Sequence, residues 1–458
     1  MGPRLDDAAR TIEAHGIGGA KDLPISPELA IAGAVAALTI SFTVLALAWR
    51  TPRYASPARG GPRGGHPLPD SLQRLVDSAA WRGGLRVVGL LFFGWAALAA
   101  IAGQDLLTNP FFGMFYVWWW VGLVPASLLL GPVWKTVSPV RTFHLLLAKV
   151  SGSEPGSGVL AYPARLGYWP AALGLFAFVW LELVYPYSTE LGPVRLWASV
   201  YVAVMLLGGA LFGDTWFERA DPFEVYSSLV AKLSVWGESE GRVVVRSPLA
   251  NLATTEARPG LVAVVAVLFG STGFDSFRES PTWVRFLLGT EAIASRDWAA
   301  TLADNIALLV FCGGVGLLFA LGTMLTGVGH GQRRLLLPGQ FAHTMIPIIV
   351  GYIAAHYLSY WLEVGQDTLI KASDPLSTGA DYLGTGDWSV NYWLSYHPTL
   401  LANLKVLGVV LGHVVAVVAA HDRAIALLPK RHQLTGQLPL LLLMVFFTAG
   451  GLFLLFAA

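Results

Sequence analysis

The chain has 458 residues, 55% of them hydrophobic and only 13% charged, with a mean hydropathy of +0.58. Soluble domains carry about 25% charged residues, so this chain cannot coat a water-facing surface of its size, and a soluble globular enzyme is excluded. A net charge of +1 gives no electrostatic footprint for nucleic acid, and a single cysteine, Cys312, excludes an intramolecular disulfide framework or a CxxC metal site.

Residues 1–28 contain Asp6, Asp7, Glu13, Asp22 and Glu28 and no apolar run, which predicts an N-terminal extracytoplasmic segment and no signal peptide. A spanning helix needs roughly 20 largely apolar residues, because about 30 Å of hydrocarbon is crossed at about 1.5 Å per residue. Ten stretches qualify: about 29–49, 86–103, 110–131, 167–186, 195–213, 259–274, 305–328, 339–362, 398–421 and 436–457. The expected fold is therefore all-α, one polytopic bundle of about ten transmembrane helices over 29–458.

Alternate loops collect 21 Lys and Arg, the opposite set eight, and Lys405 lies inside the ninth span. By the positive-inside bias this predicts a multi-pass plasma-membrane protein with both termini extracytoplasmic. Cytoplasmic loops then fall at about 50–85, 132–166, 214–258, 329–338 and 422–435, with extracytoplasmic loops at about 275–304 and 363–397. Residues 51–69 read as a Pro/Gly/Arg-rich linker. Residues 139–150 and 221–235 read as amphipathic helices on the inner surface, with Arg141 near the headgroups and Asp221 as an N-cap. The Trp118-Trp119-Trp120 run reads as packing or interfacial material, and Gly313, Gly314 and Gly316 as sites of close helix contact.

Ionisable side chains at membrane depth are costly, and the eighth and ninth spans concentrate them. In the eighth span Tyr352, His356, Ser359, Tyr360 and Glu363 recur at helical spacing, forming one polar stripe. Pro347 lacks the N–H that would reach the carbonyl of His343, which predicts a kink and a free carbonyl beside an imidazole. The ninth span carries His397, Asn403, Lys405, His413, His421 and Asp422. Two histidine levels raise a two-haem arrangement. At about 100° per residue, however, His343 and His356 stand about 140° apart and His397 and His413 about 160°, which counts against haem.

The outer cluster is the candidate site. His356 and His397, with His15 from the N-terminal segment, supply imidazoles for a divalent metal such as zinc, copper or iron. Glu363 or Asp275 would act as ligand or general base, and Tyr352 would orient substrate. The bland alternative is that these groups hydrogen-bond one another and fix helix packing. A secondary polar cluster comprises His343, His413, His421, Asp422 and Lys405, with proton relay or helix anchoring as its two readings.

The segments Phe341-Ala342-His343 through Pro347 and Tyr352, Ala355-His356-Tyr357, Ser373-Asp374-Pro375-Leu376, Gly412-His413 and Ala420-His421-Asp422-Arg423-Ala424 form a recognisable set. With them go His15-Gly16-Ile17-Gly18, Asp22-Leu23-Pro24, Glu218-Arg219 and Phe274-Asp275. Together they resemble a family of polytopic bacterial membrane proteins, frequent in actinobacteria, often labelled fenitrothion hydrolase. The resemblance touches nearly the whole chain and implies hydrolase-like chemistry. It brings no catalytic residues, but highlights His15, Asp275, His343, His356, His413 and His421.

Three functions follow. The first is a membrane-embedded, metal-assisted hydrolase-like enzyme acting on a small molecule. The second is a transporter or channel for a small solute, metal ion or proton along the eighth and ninth spans. The third is a non-catalytic subunit that needs a partner chain.

Overall fold

The computed structural model describes residues 19–54, 64–327, 333–429, 432–433 and 435–457. The chain is 72% helical. Among the described residues the only sheet is three short antiparallel strands, with Arg242–Val245 between His66–Pro67 and Trp236–Ser239. A two-residue turn joins the last two strands, and Glu240 and Gly241 both have positive φ, as a tight hairpin requires. The architecture is all-α.

Nine described helices are long and apolar enough to cross a bilayer: Pro27–Ala48, Ala79–Ala102, Gly113–Leu130, Leu191–Phe212, Leu261–Arg278, Trp298–Met324, Arg334–His356, Pro398–Leu427 and Thr435–Phe456. Each overlaps an expected span, and by length and apolar composition the chain is a multi-pass membrane protein. The remaining expected span, 167–186, is the shorter helix Trp169–Leu183, closed off by Gly167 before it and Pro186 after it. At 15 residues it reaches about 22 Å.

The chain divides into two compact units, Met1–Pro62 with Val265–Glu363 and Asn391–Ala458, and Arg63–Val264 with Val364–Val390. In the first, Pro398–Leu427 is packed by Pro27–Ala48, Ile346–His356 and Leu438–Ala457. Its crossing with Ile346–His356 is backbone on backbone. A Cβ on Gly412 would lie 2.5 Å from the carbonyl oxygen of Pro347, and one on Gly351 2.5 Å from that of Gly408. Gly408 and Gly412 thus form a small-xxx-small contact. Of the glycines expected in that role, Gly313 and Gly314 face open space, whereas Gly316 is in close contact, a Cβ there lying 3.2 Å from that of Ala266.

The eighth span is broken twice, where a single kinked helix was expected. Leu337–Phe341 passes into a 3-10 turn, Ala342–Met345, then the α-helix Ile346–His356, a break at Tyr357, and Leu358–Lys371. Pro347 takes the first turn of Ile346–His356, where its missing N–H costs nothing. The expectation of a free His343 carbonyl is corrected: the tighter 3-10 turn lets the Ile346 N–H reach it. Residues 363–371, expected as loop, are helical.

In the second unit Gly113–Val121 is a π-helix that buries Trp119 and Trp120. Trp119 stacks on Trp134 with centroids 5.2 Å apart and lies 4.1 Å from the ring of Phe223. Phe178 packs against Trp120 and Phe223. Pro222–Val230, expected as an amphipathic surface helix, is buried at every position except Ser228. Burial on all sides is tolerated because Arg141 neutralises Glu224 and Ser127 hydrogen-bonds Ser227. Pro139–Val150 does present an apolar face, Phe143, Leu146, Leu147 and Val150, but Arg141 points inward and not toward headgroups.

Candidate functional site

The last two turns of Leu261–Arg278 carry Thr272, Asp275 and Ser276, all buried. Tyr352 and His356, one turn apart on Ile346–His356, face them, and the break at Tyr357 brings a third hydroxyl to the same place. His356 Nε2 lies 3.0 Å from Asp275 Oδ2, and the Tyr357 hydroxyl donates to that same oxygen at 2.6 Å. On the other side of the ring, His356 Nδ1 is 3.2 Å from Ser276 Oγ, which is 2.9 Å from the Tyr352 hydroxyl. Ser276 is 0% exposed and His356 3%.

With Asp275 ionised and His356 neutral, Nε2 of His356 donates to the carboxylate and Nδ1 presents its lone pair. The Ser276 hydroxyl can then donate to Nδ1 at 3.2 Å, with the Thr272 carbonyl at 3.4 Å as its other acceptor, and its oxygen can accept from Tyr352. The result is a directed chain, Tyr352 to Ser276 to His356 to Asp275, with serine hydroxyl, imidazole and carboxylate in the order of a nucleophile, its base and the group that orients the base. Ser276 and Tyr357 carry no signal of their own in the sequence, since hydroxyls are common in apolar helices; each is the immediate neighbour of a candidate residue, Asp275 or His356.

The other expected site residues fall elsewhere. Glu363 is buried, and its Oε1 accepts the Ser395 hydroxyl. His397 is exposed and folds back on its own turn, with Nδ1 2.6 Å from the Trp393 carbonyl and its ring 4.4 Å from that of Trp393. His15 lies outside the described residues. Lys405 is buried with Asp22 and Glu279 as its charged neighbours, and so stands apart from the secondary cluster. His343 is buried in the 3-10 turn, with Arg423 as its charged neighbour. His413 is fully buried; its Nδ1 donates to the Val409 carbonyl at 2.8 Å and its Nε2 has no partner. His421 and Asp422 engage the chain after Pro27–Ala48, through Trp49, Arg53 and Tyr54.

Among the described residues no three His, Cys, Asp or Glu side chains come together as metal ligands. His356 and Asp275 are engaged with each other and with hydroxyls.

The second unit holds a separate charge centre. Arg141 forms a forked pair with Glu224, Nε to Oε2 at 2.8 Å and Nη2 to Oε1 at 3.0 Å, and Nη1 reaches Asp214 at 2.8 Å. Asp221, fully buried, caps Pro222–Val230 through the Phe223 N–H and accepts from Trp134 Nε1 at 2.9 Å and the Tyr201 hydroxyl at 3.1 Å. Burial, with Glu224 close by, pushes its carboxyl up to about 7. The carboxylates and the guanidinium are all engaged, which marks the ion-paired centre as structural, while the neighbouring Tyr226 hydroxyl and Trp119 Nε1 are buried without a partner.

No family model, curated protein or solved structure matches the chain.

Proposed function

We propose that this multi-pass protein of the plasma membrane, with both termini outside by its Lys/Arg asymmetry, is a hydrolase-like enzyme whose nucleophile is Ser276. The observation that carries the reading is the hydrogen-bonded order Ser276, His356, Asp275. It agrees in reaction class with the resemblance to the hydrolase-labelled membrane family, and it differs from the metal-assisted expectation by using a side-chain nucleophile.

Ser276 Oγ attacks the electrophilic carbon or phosphorus of a small ester while its proton passes to His356 Nδ1. Asp275 balances the imidazolium through Nε2–H, and that same proton then leaves from Nδ1 with the departing alcohol. Water repeats the sequence to free the serine. Ser276 sits near the C-terminal end of its helix, where backbone N–H groups are already used, so charge on the reacting oxygen falls to the Tyr352 hydroxyl.

The test is covalent labelling of membranes containing the full chain with a fluorophosphonate probe, followed by peptide mass spectrometry. An adduct on Ser276 is expected, with His356→Ala slowing its formation by about 10²–10⁴-fold. Absence of an adduct, or labelling at the wild-type rate in His356→Ala, refutes the assignment.

Transport is the second reading, favoured by the broken helix at Ala342–Met345, since irregular backbone at membrane depth is tolerated where it is buried in protein or lines a cavity. Solute uptake into proteoliposomes tests it, and co-purification of a stoichiometric second chain tests the accessory-subunit alternative.

A further inference from the structure

Helix packing sets the depth of Ser276. Leu261–Arg278 and Trp298–Met324 run antiparallel, since a Cβ on Gly270 would lie 2.6 Å from Cys312 Cα and one on Gly316 3.2 Å from the Ala266 Cβ. Six residues onward from Gly270 is Ser276, and six residues back from Cys312 is Ile306, each a rise of about 9 Å. Ile306 opens the uncharged stretch 306–324, two residues after Asp304. The serine is therefore level with the edge of the hydrocarbon. The ester linkages of bilayer lipids lie at this same boundary, between acyl chains and headgroups.

The elements beside that level are lightly packed. The chain between the two spans returns on one side of the membrane as Pro281–Gly289 and Glu291–Ala294, neither with a buried residue. At about 100° per residue, Trp283, Val284, Leu287 and Leu288 share one stripe of Pro281–Gly289. One edge of the stripe is anchored: Trp283 Nε1 donates to Asp304 at 2.9 Å, and its ring lies 5.2 Å from that of Phe277, the residue after Ser276. The other edge, Val284 and Leu288, is exposed, Leu288 to 73%, as are Ile306, Leu309 and Val310 on Trp298–Met324. Arg285 falls outside the stripe and is exposed. An amphipathic helix of this kind at the end of a span lies in the interface, with its apolar face on lipid. Next to the serine, the rings of Phe277 and Phe311 stand 5.3 Å apart, and Asp275, Ser276, Tyr352 and His356 are all buried.

We infer that the substrate of Ser276 is a fatty acyl ester lying in the bilayer, admitted beside Pro281–Gly289 at the level of its own ester group. The inference rests on Ser276 as nucleophile and narrows the ester to a carboxylic one. Ser276 Oγ bonds to the acyl carbon, and the bond from that carbon to the alcohol oxygen breaks. The alcohol leaves with the proton that His356 took from the serine. Water then cleaves the acyl-serine, releasing a fatty acid and returning hydrogen to Ser276 Oγ. The apolar chain stays among lipid tails throughout, and only the ester group has to reach the buried serine.

The test uses the full chain in vesicles of ether-linked phosphatidylcholine, which offer no ester of their own, supplied with umbelliferyl oleate or umbelliferyl acetate. The oleate ester should be cleaved at least about tenfold faster than the acetate, because each methylene taken from water holds the ester in the bilayer. Ser276→Ala should cleave neither. Leu288→Asp, at an exposed position, should slow cleavage of the oleate ester by about threefold or more and leave the acetate rate unchanged. Equal rates, or a preference for acetate, overturn entry from lipid and leave the nucleophile in place. So does a Leu288→Asp that slows both esters alike or neither, or a failure to cleave either by protein whose Ser276 still takes up fluorophosphonate. Cleavage that survives Ser276→Ala, or a serine that takes up no fluorophosphonate, removes the nucleophile and this inference with it.

Discussion

The Arg141–Glu224 pair makes an asymmetric prediction. Glu224 is 2% exposed at its side chain and Arg141 8%, whereas Asp214, the other partner, is 40% exposed. Arg141→Met strands the Glu224 carboxylate in the second unit's interior, and breaking a buried pair in this way costs about 3–5 kcal/mol. For a unit of this size each kcal/mol moves the melting temperature by about 2–4 °C, so a fall of roughly 6–20 °C is expected. Glu224→Leu should cost less, because Arg141 keeps Asp214 and that contact is open to water. The double variant Arg141→Met/Glu224→Leu removes both charges and should recover most of the loss, since apolar replacement of a whole buried pair is often neutral or stabilising. Tryptophan fluorescence during a thermal ramp is the natural assay, as most of the seventeen tryptophans lie in this unit. If Arg141→Met melts within a degree or two of wild type, or the double variant is no better than that single one, the pair is not the internal brace argued for.

Three further outcomes follow, from the same interior, from the helix crossing and from an open helical glycine. Burial and Glu224 push the Asp221 carboxyl up from an ordinary 3.8 to about 7, so between those values the native state binds more protons than the unfolded one. Stability of the second unit should therefore fall as pH rises from about 4 to about 7 and level off above, and Asp221→Asn should flatten that slope in a series of melts. At the crossing in the first unit, Gly412→Val should abolish monodisperse folded protein on size exclusion, because the new Cβ meets a backbone oxygen that cannot move aside. Gly94→Ala, with nothing near its added carbon, should be neutral or stabilising by up to about 1 kcal/mol.

Membrane class and nine of ten spans were legible because hydrocarbon imposes length and apolarity on each helix separately, a demand that one sequence displays. The pairing of His356 with Asp275 was half legible: both residues stood out as costly, and they do meet. What failed was the jump from depth to convergence. His397 is as near the top of its helix as expected, yet it turns back onto Trp393, because a residue just before a helix start can satisfy its ring on the preceding turn. The hidden helix Pro222–Val230 failed for a related reason. Its polar residues suggested a wet face, and only the partner Arg141, some eighty positions earlier in the chain, reveals that the face is dry. Of the expected glycine contacts only Gly316 is made, against Ala266, and the backbone crossing falls instead at Gly408 and Gly412, which stand four apart in the sequence.

Both buried polar centres sit where a helix stops. Asp221 separates Asp214–Ala220 from Pro222–Val230, and His356 and Tyr357 separate Ile346–His356 from Leu358–Lys371. A helix end frees backbone donors or acceptors that an apolar surround cannot satisfy, so polar side chains gather there whatever their later use. Asp221 spends one carboxylate oxygen on such an end, through the Phe223 N–H. At the other break the Tyr357 N–H is already taken by the Ile353 carbonyl. The side chains of His356 and Tyr357 are therefore not needed for capping and turn to Asp275 instead. A polar group at a helix break that does not cap the break must be held there by something else. At His356 that something is a serine and a carboxylate on a different helix, and this is why the first centre carries the catalytic reading while the second reads as a brace.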